Sequence, residues 1–399
     1  MKVVQINAVC GVGSTGRICE ELNNMLLQSG HEGVVLYGNG SSDYAHSKKV
    51  ASGIGVKVHG LLSRMLGKNA SYSPFATKKI LTFLKDYQPD VVHLHNLHGN
   101  FVNLKPLLRY LAERDIPTVL TLHDCWFFTG KCTHYTAEGC YKWQTGCHNC
   151  PKLKADIPSW FFDRTPQMWE EKKRLFGAIP RLAVVGVSDW ITKEAERSFL
   201  GNAKIVKTIH NGIDLTVFKP TDGNVHERYG ISKSKKVILG VSAGWSITKG
   251  LDVFTALAKR LNNEEYQIVL VGTDSETDKN LPENIISIHR TENQKELAEL
   301  YTVADLFVNP TRQDTYPTVN MEAIACGTPV ATFRTGGSPE ILDANTGSVV
   351  PCDDIDALER EIVRICTEKP YKLDECVEKS VDFDKNSCFK EYLSLYENS

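Results

Sequence analysis

LFVNPTRQDTYPTVNMEAIACGTPVATFRTGGSPEIL, residues 306–342, alternates strand, loop and helix twice over. A short apolar strand, LFVNP at 306–310, leads into a polar loop holding Asp314. Pro317 and Thr318 then begin a helix; proline suits a first turn, where its missing N–H has no partner to lose. A second strand, TPVATF at 328–333, ends in Gly336-Gly337-Ser338-Pro339-Glu340, with Ser338 read as N-cap and Pro339 as first helical residue. Glu322 follows Asp314 by eight positions, about one turn further into the first helix. In that arrangement one carboxylate meets sugar hydroxyls at the loop and the other accepts both hydroxyls of a ribose. Between them the free amides of Thr318 and Val319 suit a phosphate, with Tyr316 in the same loop. The plainer alternative is a pair of capped βα loops with no ligand. Placement of both at the carboxyl ends of parallel strands disfavours it.

The same alternation runs through the rest of the chain. KVVQINAV (2–9), GVVLYG (33–38), DVVHLH (90–95), TVLTLH (118–123) and LAVVGVS (182–188) form one series of strands. KVILGVS (236–242), YQIVLVG (266–272), LFVNP and TPVATF form another. Apolar, β-branched runs without polar alternation mark strands buried on both faces, and intervening helices imply parallel sheets. With 399 residues the chain exceeds what one core organises, so two doubly wound α/β domains are predicted. The break is placed where KTIHNGIDLTVFKPTDGN, near 210–222, interrupts the pattern with Gly, Pro and Asn. The predicted parts are 1–212, 213–384 and a terminal helix, 385–399. The first residues, MKVVQINAV, lack the apolar run and cleavage site of a signal peptide. No stretch of about 18 apolar residues exists to span a membrane. A cytoplasmic protein, working at the inner membrane face, is the expectation.

Gly11-Val12-Gly13-Ser14-Thr15-Gly16 is a literal GxGxxG after the first strand. Its backbone, with Gly13 and Ser14 at the helix start, suits an anion. A dinucleotide site also calls for an acid at the end of the second strand, yet that strand ends Leu36-Tyr37-Gly38-Asn39-Gly40 and no acid comes before Asp43. A dehydrogenase is therefore a remote alternative. Lys249-Gly250, between a strand and a helix, places a cation where a diphosphate would lie.

Together these segments resemble glycosyltransferase family 4, the retaining enzymes of GT-B fold. The signature E-x7-E of that family reads D-x7-E here, from Asp314 to Glu322. The early glycine loop, TLHD at 121–124 and HNGIDLTVF at 210–218 match in order and spacing. The resemblance implies two Rossmann-like domains facing a cleft, the last helix crossing back to the first domain, and a nucleotide-sugar donor, most commonly of uridine. It gives His123 a contact with the donor sugar near the reaction centre. The family commonly has an arginine five residues before the phosphate lysine; this chain has Gly244 there. Lys249 and the helix start at 317–319 would stabilise the leaving diphosphate. No Asp-x-Asp sits at a strand end to chelate a metal-bound diphosphate, so a catalytic metal is not expected. His93, His95 and His98 are read as polar residues facing the cleft, where contact with the acceptor is conceivable, with metal binding the lesser alternative.

Beyond TLHD lies a segment, 125–151, with Cys132, Cys140, Cys147 and Cys150 spaced C-x7-C-x6-C-x2-C. The closing C-x2-C suits thiolate ligation, and a structural zinc is the reading adopted; disulfides and free thiols are the alternatives. A subset of bacterial polysaccharide glycosyltransferases resembles this segment. Residues 1–212 carry 26 Lys+Arg against 17 Asp+Glu, a balance of +9, and the remainder carries −11. VKVHGLLSRMLGK (56–68) and WFFDRTPQMWEEKKRLF (160–176) combine basic and apolar residues that can lie on anionic lipid. A glycan or lipid-diphosphate-linked acceptor, with peripheral membrane contact and no nucleic acid, follows as the expectation. A GT-B-fold nucleotide-sugar epimerase and a non-catalytic sugar-binding scaffold are the competing functions.

Overall fold

The strands fall into two wholly parallel sheets. In chain order they are β1 (Lys2–Asn7), β2 (Glu32–Tyr37), β3 (Ser47–Lys49), β4 (Val91–Leu94), β5 (Thr118–Leu122), β6 (Leu182–Gly186), β7 (Ile205–Thr208), β8 (Lys236–Val241), β9 (Tyr266–Val271), β10 (Ile285–Ile288), β11 (Leu306–Asn309), β12 (Val330–Phe333) and β13 (Gly347–Val350). This computed structural model describes residues 1–398; Ser399, the last residue of the predicted terminal segment, lies outside the described residues.

The first sheet has the order β3-β2-β1-β4-β5-β6-β7 and the second β10-β9-β8-β11-β12-β13. Each is doubly wound: the chain steps outward from a central strand, then returns and steps the other way. Central strands are buried from end to end, as in VVHL of β4 and TVLTL of β5, which is why their sequences are continuous apolar runs. Register is set by aligned apolar residues: Val4 of β1 lies opposite Val34 of β2 and Val92 of β4. In the second sheet Leu306 of β11 lies opposite Ile238 of β8. Its core packs Phe254, Leu257, Ile268, Val308, Phe333 and Ile362 between sheet and helices.

The chain divides into two units: Met1–His210 together with the C-terminal residues from Phe389, and Asn211–Cys388. The helix Lys385–Glu397 therefore begins in the second unit and ends in the first. In the first unit Tyr396 Oη lies 2.7 Å from His93 Nδ1, and Tyr392 Oη lies 3.0 Å from Thr121 Oγ1. These tie the end of the chain to β4 and β5. In the second unit the start of that helix is held by an ion pair between Lys385 and Asp214 at 2.8 Å.

Two details correct the sequence-based expectation. The strands stop sooner than the apolar runs: β1 ends at Asn7 rather than Val9, and β12 starts at Val330 rather than Thr328. Four strands have no counterpart among the predicted runs, namely β3, β7, β10 and β13. Each is a sheet edge.

Candidate active site

In a doubly wound sheet the loops on either side of the switch in strand order open a crevice at the carboxyl ends of the strands. In the second unit the switch lies between β8 and β11, and the predicted donor residues sit there. Lys249 ends a short 3-10 turn, Ile247–Lys249, after β8. Asp314 lies in the loop after β11, and the two meet: Lys249 Nζ donates to Asp314 Oδ2 at 2.8 Å. The backbone stitches the loops together as well, since Arg312 N donates to Thr248 O at 2.9 Å. Gly250 follows at φ +80°, and a Cβ there would come within 2.5 Å of Pro310, so glycine is needed on both counts.

Helix Thr318–Ala325 starts beside this pair. Pro317 occupies the N-cap, no side chain caps the helix, and no acid stands in its first turn. Its leading amides, those of Thr318 and Val319 included, keep the partial positive charge of a helix N-terminus. Glu322 is the fifth residue of the helix, and Tyr301 Oη donates to its Oε2 at 3.0 Å. Tyr316 is buried at the loop base.

Three buried polar atoms in this region have no partner within the protein: Thr315 Oγ1, Asn320 Nδ2 and Ser338 Oγ. Buried polar atoms are nearly always paired, so three orphans around one helix start are unusual. Sequence patterns gave no sign of Thr315 or Asn320. Ser338 was expected as an N-cap; instead Gly337 precedes the 3-10 turn Ser338–Ile341 and no side chain caps it. Ser338 is itself the first residue of the turn, so its hydroxyl is not placed as a cap and is buried. At Gly244, where an arginine was expected by resemblance, a Cβ would meet nothing within 4 Å. Arg312 does not substitute for it: its guanidinium is clamped by Asp252, at 2.8 Å through both Nη atoms, and by Asp353 at 2.6 Å.

The first unit has its own switch, between β1 and β4. Gly11 turns the chain at φ +73°, with its N–H donating to Gly16 O at 3.0 Å. Gly13 and Ser14 open the helix Gly13–Gln28, which again has no side-chain cap and no acid in its first turn. His123, just past β5, is joined to His95 by a hydrogen bond of 3.0 Å between His123 Nε2 and His95 Nδ1. His95 Nε2 in turn meets Gln5 Oε1 at 3.1 Å, and Gln5 Nε2 donates to Cys19 O at 3.0 Å. Burial pushes His123 down to about 4, so its imidazole is neutral near pH 7.

His93 and His95 are not the cleft-facing polar residues that the sequence suggested. Both are fully buried, their rings 3.9 Å apart, and His93 is spent on Tyr396 and on Thr121. The missed signal is that a histidine inside an apolar strand needs a buried partner, here from the far end of the chain. His98 is different: its Nε2 meets Asp124 Oδ2 at 2.8 Å, while Trp126 N donates to Asp124 Oδ1 at 2.8 Å. Burial works against the charge on both partners, but their mutual attraction prevails, raising His98 and lowering Asp124.

The helix Gly53–Leu66 is inside out. It buries His59, Gly60 and Ser63 and exposes Ile54, Val58, Leu61, Met65 and Leu66. Trp160 N donates to Arg64 O at 2.6 Å, so the exposed Trp160-Phe161-Phe162 run adjoins the end of this helix. The rest of the stretch expected at a membrane does not share this exposure. Helix Thr165–Phe176 turns Met168, Trp169, Leu175 and Phe176 into the core. Cys132, Cys140, Cys147 and Cys150 line one small pocket in the first unit.

Comparison with known proteins agrees with this architecture. The family model described as Glycosyltransferase Family 4 matches residues 15–217, and that described as Glycosyl transferases group 1 matches residues 235–368. A putative colanic acid biosynthesis glycosyl transferase, WcaC of Escherichia coli (strain K12), is 23% identical over 373 residues, covering 89% of this chain and 88% of its own. Among solved structures, the sucrose-phosphate synthase from Thermosynechococcus elongatus superposes with a TM-score of 0.73 at 16% identity, over 100% of this chain and 98% of that one. Anabaena HepE in complex with UDP superposes with a TM-score of 0.70 at 13% identity over the full length of both. By sequence match and by fold, the chain belongs to glycosyltransferase family 4 and is a glycosyltransferase of the GT-B type.

Proposed function

We propose that this glycosyltransferase takes a sugar from a UDP-sugar and passes it, with retained configuration and without a catalytic metal, to a glycan or lipid-diphosphate-linked acceptor in polysaccharide biosynthesis. The Lys249–Asp314 pair at the second switch point, beside an uncapped helix start, carries the proposal. Without donor the two charges neutralise each other. With donor, Lys249 and the amides of Thr318 and Val319 take the diphosphate, which releases Asp314 to the sugar hydroxyls. Negative charge grows on the diphosphate as the glycosidic bond breaks, so a cation and helix dipole fixed there favour the transition state over the ground state. They supply the positive charge that a chelated metal provides elsewhere. Glu322, oriented by Tyr301, accepts the ribose hydroxyls. His123, kept neutral by burial, serves the donor sugar as a hydrogen-bonding group rather than as a cation.

The structure of HepE with UDP supports the choice of base, and the colanic acid relative supports the pathway class. A membrane-bound acceptor fits the inside-out helix, which carries Lys57 and Arg64 and has Lys79 beside Ile54 and Val58 of its exposed apolar face. The test is thermal stabilisation by nucleoside diphosphates followed by turnover. UDP should raise Tm where GDP and ADP do not, and the effect should vanish in Lys249→Ala and Glu322→Ala. The anomeric proton of the product, read by NMR, should show the configuration of the donor. Stabilisation by another diphosphate alone overturns the choice of uridine, and an inverted product overturns retention.

A further inference from the structure

The first unit carries a feature that sugar transfer does not use: two buried lysines beside four cysteines. Lys131 and Lys172 are 3% and 2% exposed, and neither forms an ion pair among the described residues. Lys131 Nζ donates to the carbonyls of Lys152 at 2.6 Å and Ala155 at 2.9 Å. Lys172 Nζ donates to the carbonyls of Trp126 at 2.5 Å and Thr129 at 3.1 Å, and lies 3.5 Å from the centre of the Trp126 ring. Carbonyls and a ring face solvate an ammonium group but do not neutralise it. Asp156 acts on Lys131 and Asp124 on Lys172, but Asp124 is already held by His98, and two buried ammonium groups in one interior region call for further anions nearby.

The anion at hand is sulfur. The thiols of Cys132, Cys140, Cys147 and Cys150 all line the same small pocket, with Lys131 among its other walls. Backbone amides already point at two of the sulfurs. Gly130 N donates to Cys147 Sγ at 3.2 Å, and the Lys152 backbone hydrogen-bonds the Cys150 thiol. The chain reaches the last pair through Gly146 at φ +143° and Asn149 at φ +44°, a folded-back loop of the kind a C-x2-C needs to aim both sulfurs one way. The four thiols are unpaired by disulfides, and no three of their sulfurs lie within 4.8 Å of one another. A metal would draw them in by side-chain rotation.

We propose that Cys132, Cys140, Cys147 and Cys150 bind one structural zinc ion, with Lys131 and Lys172 as its built-in counter-ions. A zinc ion with four thiolates is doubly negative, and two buried ammonium groups balance it. The site would brace the segment that follows Asp124, since Lys172 holds the carbonyls of Trp126 and Thr129, and Thr129 Oγ1 donates to Cys132 O at 2.7 Å.

The test begins with the intact wild-type protein. Metal analysis after purification without chelator should find about one zinc per chain, and cobalt exchanged for it should show the thiolate charge-transfer and intense ligand-field bands of a tetrahedral sulfur site. Cys147→Ser and Cys150→Ser should each retain less than about a tenth of the zinc, while Cys352→Ser, at an exposed cysteine elsewhere, should retain all of it. If a ligand variant fails to fold, the cobalt spectrum of the wild type still decides. Lys172→Met, which keeps the unbranched apolar stem and removes the charged end, should weaken zinc retention against a competing chelator at least several-fold. A chain with no bound metal and four freely reactive thiols overturns the proposal, as does an intact mass two hydrogens lighter for each disulfide found among these cysteines.

Discussion

Lys249 and Asp314 hold each other in the free enzyme, so a substitution at either acts on two functions. Lys249→Ala should lower kcat/KM on the order of 100-fold through the lost diphosphate contact, with Tm changing little because the pair is partly solvated. Steady-state kinetics beside a thermal melt separates the two. Gly244→Arg is the converse experiment. Space is open there, so an added guanidinium should tighten donor binding roughly several-fold without loss of stability, as read by KM for the donor. Buried histidines give a pH dependence of definite sign. His59 and His123 both lie at about 4 in the folded protein, below the ordinary value of about 6.5. The unfolded chain therefore binds protons that the native state refuses, and stability falls as pH drops from about 6.5 toward 4. Each such histidine contributes a slope near 1.4 kcal/mol per pH unit. His98 works the other way: its folded pKa is raised, so its contribution is full below about 6.5 and is lost as pH rises through the folded value. Urea midpoints across this range should show the acid-side slope reduced in His123→Gln and the alkaline-side loss removed in His98→Gln. At this scale the placing of Lys249 and Asp314 in loops at strand ends was legible in the sequence, because it follows from the alternation of strand, loop and helix. The His95–His123–Gln5 chain was not. Gln5 lies on β1 and the two histidines just past β4 and β5, and only the β1-β4-β5 order makes them neighbours.

Among elements, legibility followed burial. Every strand that the apolar runs revealed is flanked on both sides in its sheet, and the four they failed to reveal, β3, β7, β10 and β13, are the sheet edges. β3 reads Ser-Lys-Lys and is largely exposed, and β7 is half-buried throughout. An edge strand has one neighbour and a wetter surface, so it is under no pressure to be continuously apolar. The helix Gly53–Leu66 broke the same rule in reverse, since its apolar residues face out. Its apolar positions were evident in the sequence, but which way they face depends on what the first sheet leaves uncovered. Replacing Val58 and Phe161 by Glu together should cut co-sedimentation with anionic vesicles about tenfold at low salt and leave the melting temperature unchanged, both side chains being exposed. Tyr396→Phe probes the terminal helix. It strips His93 Nδ1 of its partner in a fully buried site, and urea unfolding should report a loss of about 1–3 kcal/mol.

For the molecule as a whole, the doubled βα pattern foretold two parallel sheets, because each needs its own run of strands and crossovers. What joins the end of the chain to the first unit was carried by a few tyrosines with no motif around them. Removing the residues from Phe389 onward should destabilise the first unit and spare the second, so the truncated protein should show an added low-temperature transition yet still be stabilised by UDP. The route of the chain also orders events at the ribosome. Asn211–Cys388 is one uninterrupted segment, so the second unit holds all its residues before Tyr392 and Tyr396 are made. The first unit, although translated first, waits for Tyr392 and Tyr396 and so completes its interior only after the second unit has been synthesised.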